Sequence, residues 1–177
     1  MKWKNISCGT TFFITATITE WQPLLNCQQA RDIVLGDLAF YRKKYGCKIL
    51  AYVIMPEHYH LVLQLCEPND LHGWLHDFQM HTSNELCKLL RAKASPKEMA
   101  VYAKHANGNS ELAIWKEQAR ALGIVSERVL CTKIEYIHKN PVTRGLVSEP
   151  SQWPWPSWRN YYLDDDRVFQ VDKVEML

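Results

Sequence analysis

The sequence predicts an α+β domain, and three observations carry that expectation. A β-branched and aromatic run, "TTFFITATIT" (10–19), is followed by a segment of helical periodicity (26–44). Two further apolar runs, "CKILAYVIM" (47–55) and "HYHLVLQL" (58–65), are separated only by Pro56 and Glu57 and read as a hairpin. A long helical pattern over 68–93 then completes an order of strand, helix, strand, strand, helix in the first 90 residues.

Each element has a local reason. In the first helix Ile33, Leu38 and Tyr41 recur near helical spacing, Asn26 is positioned as the cap, and "RKKYG" places cations and then Gly46 at the end. In the second, Leu71, Trp74, Leu75 and Phe78 form one apolar stripe, and Leu86, Leu89 and Leu90 another. His72 and His76 are i, i+4 neighbours there and His81 follows, but the run H-G-W-L-H lacks a zinc protease's glutamate, so a solvent-facing reading is favoured. Residues 95–123 are the least legible: Asn107-Gly108-Asn109 reads as a turn, and a fourth strand is expected near 112–115. A last helix begins at Ser126, a capping residue, with Glu127 in its first turn. It is expected to stop at Pro141, which biases Asn140 away from helical backbone.

Composition narrows the function classes. The 177 residues are 47% hydrophobic and 23% charged, the values of an ordinary globular domain, and one domain spanning 1–177 is expected, with a tryptophan-rich tail from about 148. No apolar stretch approaches the ~20 residues of a membrane helix, and "MKWKNISCGTTFF" lacks a signal peptide's apolar region, so a cytoplasmic protein without a membrane partner is expected. Six cysteines (Cys8, Cys27, Cys47, Cys66, Cys87, Cys131) form no C-x-x-C pair, which leaves zinc-ribbon and thioredoxin readings without support. The net charge of +2 hints only mildly at an acidic partner.

Two segments carry candidate chemistry. Strand alternation puts His58, His60, Val62 and Gln64 on one face and Tyr59, Leu61, Leu63 and Leu65 on the other. Two imidazoles so placed can converge on one metal ion or one phosphate; on the residues alone they read equally well as polar residues at a strand mouth. In "SERVLCTKIEYIHKNPVTRGLV" (126–147), Leu130, Ile134 and Ile137 make the buried face. Lys133, Tyr136 and Asn140 fall within about 60° of one another on a neighbouring face. A phenol needs a nearby cation or base to become a nucleophile, and a carboxamide oxygen suits a hard divalent ion. Taken alone, that face reads as ordinary helix surface.

Together the two segments are recognisable. "YVIMPEHYHLVLQL" followed some 70 residues later by "YIHKNPVTRGLVSEPSQWPWPS" resembles the REP-associated tyrosine transposases, single-tyrosine members of the HUH (His-hydrophobic-His) nucleases. The resemblance runs from Thr11 to about Tyr162. It departs from the family pattern in "IWKEQARALGIVSERVL", where Trp115 is kept but little else.

The resemblance implies an antiparallel sheet with packed helices, related to the ferredoxin-like and RNA-recognition (RRM-like) folds. It places His58, His60 and Asn140 as ligands of a divalent cation, Mg²⁺ or Mn²⁺, Tyr136 as the nucleophile, and Lys133 as a basic residue one turn before it. The implied activity is that of a tyrosine transposase: cleavage and rejoining of single-stranded DNA at hairpin-forming palindromes through a 5′-phosphotyrosine. Arg42, Lys43, Lys44, Arg144 and Arg159 are candidate phosphate contacts, and Trp153, Trp155 and Trp158 either stack bases or pack on the core. Single-stranded or hairpin DNA is the expected partner, the protein being a monomer or homodimer associated with the nucleoid. A non-catalytic, domesticated nucleic-acid-binding regulator with the same fold is the alternative, and a structural zinc protein is disfavoured because the cysteines do not cluster.

Overall fold

The structure, a computed structural model, describes residues 9–106 and 111–174; the expected turn at Asn107-Gly108-Asn109 and Cys8 lie outside the described residues. Four antiparallel strands, β1 (Thr11–Thr17), β2 (Lys48–Ile54), β3 (His58–Gln64) and β4 (Arg120–Gly123), form one sheet in the order β2-β3-β1-β4. Five helices accompany it: α1 (Gln28–Lys44), α2 (Asp70–Lys93), α3 (Pro96–Ala103), α4 (Glu127–Thr143) and α5 (Trp158–Leu163). The α+β class and the hairpin of β2 and β3 are as the sequence predicts, with Ile54 opposite Tyr59 and Val53 opposite His60.

Both faces of the sheet are covered, which explains why every residue of β3 is buried. Tyr59, Leu61 and Leu63 join Ile14 and Ala16 of β1 in a core with Val34 and Leu38 of α1 and Trp74 and Phe78 of α2. Val62, Phe13 and Val53 face the other way, against Leu130, Ile134 and Ile137 of α4. In β2 the alternation breaks once: Leu50 and Ala51 both belong to the α4 side, where the register with β3 shifts between Ile49 and Ala51.

The C-terminal segment protects an edge of the sheet. The outer side of β2 is hydrogen-bonded by it: Ser157 N–H donates to Tyr52 O at 2.8 Å, Ile54 N–H to Trp155 O at 3.1 Å, and Ile49 N–H to Asp172 Oδ2 at 3.0 Å. Trp153 is buried and its Nε1–H donates to Ile54 O, while the Arg31 guanidinium lies 3.5 Å from the centre of the Trp155 ring. Packing is thus the role of these two tryptophans here; Trp158 stacks on Tyr162, 5.0 Å between centroids.

Three local expectations are corrected. Asn26 belongs to a short 3-10 turn (Leu24–Asn26), and the N-cap of α1 is Cys27, which makes no side-chain capping bond. The fourth strand is Arg120–Gly123 rather than 112–115; Leu112, Ile114 and Trp115 are buried, but of this stretch only Trp115 pairs with the sheet region, in an isolated bridge to Ile18. Pro141 does not end α4, which continues to Thr143. A proline so near a C-terminus forfeits one helical bond, and burial of Ile137, Asn140 and Pro141 holds the turn in place. Ser126 caps this helix as expected, accepting from Val129 N–H at 3.3 Å.

The five cysteines among the described residues are free thiols. Among those residues no helix is long and apolar enough to cross a membrane.

Candidate metal centre and nucleophile

The face of β3 turned toward α4 carries His58 and His60, both buried, with ring centroids 4.8 Å apart. Antiparallel pairing sets His60 opposite Thr15 of β1, and Thr15 Oγ1 lies 2.8 Å from His60 Nδ1. Engaging Nδ1 in this way fixes the ring and leaves Nε2 directed into the site. Burial, reinforced by His58 and Lys133, lowers the pKa of His60 to about 3. His58 is also lowered, chiefly by burial and further by Arg144, while Glu57 and the Asn140 amide act in the opposite direction. Both imidazoles are therefore neutral at physiological pH, the form in which they donate a lone pair.

Helix α4 presents the remaining groups. Its apolar stripe of Leu130, Ile134 and Ile137 seats it on the sheet, and that rotation sets Tyr136 over the histidines. Tyr136 Oη is 3.4 Å from His60 Nε2, a long contact, and the two rings meet edge to face at 5.1 Å. Phe13 closes the cluster, stacked on His60 at 5.3 Å and edge-on to Tyr136 at 5.9 Å. The Lys133 ammonium lies 4.5 Å from the centre of Phe13 and 5.8 Å from that of Tyr136. Tyr136 is 45% exposed, whereas both histidines are buried.

Asn140, one turn beyond Tyr136, is 4% exposed; its side chain adjoins His58, but its Oδ1 makes no well-formed hydrogen bond. His58 Nδ1 is likewise without a well-formed hydrogen bond, although Glu57 Oε1 stands 3.2 Å away. Leaving a buried acceptor unmet costs about 1–3 kcal/mol. Lone pairs on two imidazoles and one amide oxygen, gathered on neutral groups, suit a divalent cation, so the residues present fit such an ion. Among the described residues no three His, Cys, Asp or Glu side chains cluster as a metal site.

The structure thus brings together His58, His60, Lys133, Tyr136 and Asn140. Of the five candidate phosphate contacts, Arg144 reaches this region, where its Nη2 donates to Glu57 Oε1 at 2.7 Å. The others stand elsewhere: Arg42 pairs with Asp172 at 2.6 Å, Lys44 with Asp77, Arg159 with Asp165 at 2.8 Å, and Lys43 is exposed on α1. His72 and His76 are exposed on α2, as expected, and His81 is exposed with its Nδ1 2.9 Å from Asp37.

Three participants went unread in the sequence. Glu57 looks like a turn residue beside Pro56, yet it is 8% exposed and joins Arg144 to His58. Thr15 could have been found by registering β1 against β3. Trp21 follows a strand in a stretch without periodicity; it is 51% exposed and lies edge-on to His58, 5.9 Å between centroids. Glu20 and Trp21 both adopt left-handed backbone, with φ of 50° and 55°. Such residues cost roughly 1–3 kcal/mol each and persist where the surroundings hold them; Glu20 is held by His105 at 2.6 Å.

A curated protein of Haemophilus influenzae named "Putative REP-associated tyrosine transposase" is 27% identical over 114 residues, 64% of this chain. The match spans 60% of that relative's own length. A solved REP-associated tyrosine transposase bound to a REP hairpin superposes with a TM-score of 0.65 at 18% identity, covering 100% of this chain and 98% of the other. A second solved structure, described as a "putative transposase" from Deinococcus radiodurans, gives a TM-score of 0.51 at 12% identity over 77% of this chain and 94% of that one. No family model matches the chain. The α+β fold, with its four-stranded antiparallel sheet and packed helices, is shared with these structures, and the resemblance to the REP-associated tyrosine transposases read from the two motifs is borne out.

Proposed function

We propose that this REP-associated-tyrosine-transposase-like chain is a single-stranded DNA transesterase acting beside DNA hairpins, with Tyr136 as its nucleophile. One observation carries the reading: the Tyr136 hydroxyl stands 3.4 Å from His60 Nε2 on the helix that also presents the unpartnered Asn140 Oδ1. The relative's name and the hairpin in the similar solved structure supply the substrate class.

Mg²⁺ or Mn²⁺ held by His58, His60 and Asn140 would supply Lewis-acid polarisation of the scissile phosphate. The chain's own groups do the rest. Tyr136 Oη gives up its proton and forms a bond to phosphorus as the P–O3′ bond breaks; the leaving 3′ oxygen takes up a proton, so the step yields a 5′-phosphotyrosine and a free 3′-hydroxyl with no net change in protons. Because the phosphotyrosine keeps the ester bond, a second 3′-hydroxyl can displace Tyr136 and join strands. Lys133 places an ammonium beside the tyrosine, where the phosphate's negative charge must be offset. Thr15 holds His60 in the ring orientation that exposes Nε2. A protein acting on bacterial chromosomal hairpins would work in the cytoplasm at the nucleoid.

Incubation with a hairpin oligonucleotide carrying single-stranded flanks, in Mg²⁺ or Mn²⁺, tests this reading. A protein–DNA adduct that survives denaturation, together with a fragment ending in a free 3′-hydroxyl, is expected. Tight hairpin binding with no adduct in either metal would instead leave a non-catalytic regulator.

A further inference from the structure

We propose that Trp21 is a stacking platform for a nucleobase of the single-stranded DNA beside the scissile phosphate. The inference rests on the DNA-transesterase reading and gives one residue the task of holding the substrate strand. Core packing does not account for this tryptophan, since half of its surface is exposed. Its position is nevertheless imposed: two successive left-handed residues turn the chain after β1, and Glu20 is tied to His105, two residues beyond α3. The ring is thereby set edge-on to His58 while half of its surface stays exposed.

The surroundings match a nucleotide. A groove of about 230 Å³ is lined by Trp21 with Thr15, Thr17, Lys116, Gln118 and Arg120, and by Glu117, whose carboxylate accepts from Arg120 at 2.8 Å. The Thr17 hydroxyl and the Lys116 ammonium suit a phosphodiester, and the carboxamide of Gln118 suits a base edge. The Arg144 guanidinium stands 5.7 Å from the centre of the Trp21 ring and is bonded to Glu57, the neighbour of His58. An aromatic face, a cation and the metal-binding histidines are thus contiguous. A base stacked on Trp21 would seat its own phosphate near His58, and because every base has a π face the platform would tolerate any sequence.

The test is a binding measurement in EDTA, so that no chemistry intervenes. Fluorescein-labelled hairpins with single-stranded flanks are prepared intact and with one abasic nucleotide at each flanking position in turn, and affinities are read by anisotropy. Trp21→Ala is expected to weaken binding of the intact substrate about tenfold or more, and Trp21→Phe to restore most of that loss. One abasic position should weaken the native protein by a similar factor and have no further effect on Trp21→Ala. Native affinity in Trp21→Ala, or abasic effects of undiminished size at every position in that variant, would overturn the inference. Failure of the native protein to bind hairpin or single-stranded DNA would be seen before any variant is made, and it would overturn the DNA reading and this inference with it.

Discussion

Strand β3 sends different chemistry to the two sides of one sheet. Toward α1 and α2 it turns Tyr59, Leu61 and Leu63, and toward α4 it turns His58, His60 and Val62. Both sides contain buried polar atoms without partners. Among the described residues, those on the α1–α2 side are Arg31 Nε, Tyr59 Oη and Trp74 Nε1, all donors; Trp74 stacks on Phe78 at 4.8 Å. On the α4 side they are Asn140 Oδ1 and, in the adjacent side chain, His58 Nδ1, which faces Glu57 Oε1 at 3.2 Å without a well-formed hydrogen bond. An orphaned atom therefore does not by itself mark a site. Convergence of neutral donors beside a half-exposed tyrosine is what distinguishes the α4 side, and the proposed chemistry is placed there for that reason.

The sharpest break of this comparison is a pair of truncations from the same strand. His60→Ala should reduce DNA cleavage by at least about a hundredfold while hairpin affinity stays close to native, because phosphate contacts dominate binding. Cleavage at the native rate in limiting Mg²⁺ would remove His60 from the site. Leu61→Ala, one residue on and facing the other way, should cost about 2–5 kcal/mol of stability through transfer and cavity terms. Measured by urea unfolding, a loss well under 1 kcal/mol would mean that the α1–α2 side is not the stabilising core.

Legibility in the sequence follows the same division. Alternation in "HYHLVLQL" assigns both sides of β3 correctly, because a two-residue period leaves no other choice once the strand is recognised. The helical spacing that groups Lys133, Tyr136 and Asn140 holds because the stripe of Leu130, Ile134 and Ile137 fixes the rotation of α4. Strand β4 was hidden for a physical reason. "RALG" contains no β-branched residue and is exposed throughout, so backbone pairing with β1 alone defines it. "LAIW" (112–115) has the apolar character of a strand but spends its hydrogen bonds elsewhere: Thr19 N–H donates to Ile114 O, and Ala113 N–H to Tyr102 O. Glu57 and Trp21 were illegible because their meaning lies in partners far along the chain, Arg144 for the first and a strained turn held by His105 for the second.

Smaller effects sharpen the picture of the α4 side. Asn140→Ala should raise the Mg²⁺ concentration needed for half-maximal cleavage by about tenfold or more without abolishing cleavage at saturation, since two ligands remain. Superimposable metal titrations would make Asn140 a helix residue only. His138, buried on α4 with Nε2 2.9 Å from Ser157 Oγ, has its pKa lowered by burial to about 4. In the unfolded chain an imidazole takes up its proton near pH ~6.5. The stability from burying it neutral is therefore complete above that pH and is lost as pH falls toward 4. At pH 5.5 this amounts to about 1 kcal/mol. Unfolding curves at pH 7.5 and 5.5 should show a smaller acid loss in His138→Gln than in the native protein, and equal losses would place His138 outside this effect.

The central claim is that the side chain over the histidines is the one that attacks. Tyr59 is nearer to them in sequence, but it belongs to the α1–α2 side, and burial raises its pKa further from use as a nucleophile. Tyr136→Phe removes a single oxygen and keeps the ring against Phe13 and His60. The most direct measurement is peptide mapping of the covalent adduct formed with a hairpin oligonucleotide, made for the native protein and for Tyr136→Phe. DNA attached at Tyr136 alone, with no adduct in the variant, is the predicted result. DNA on any other tyrosine, or an adduct that survives in Tyr136→Phe, would contradict it.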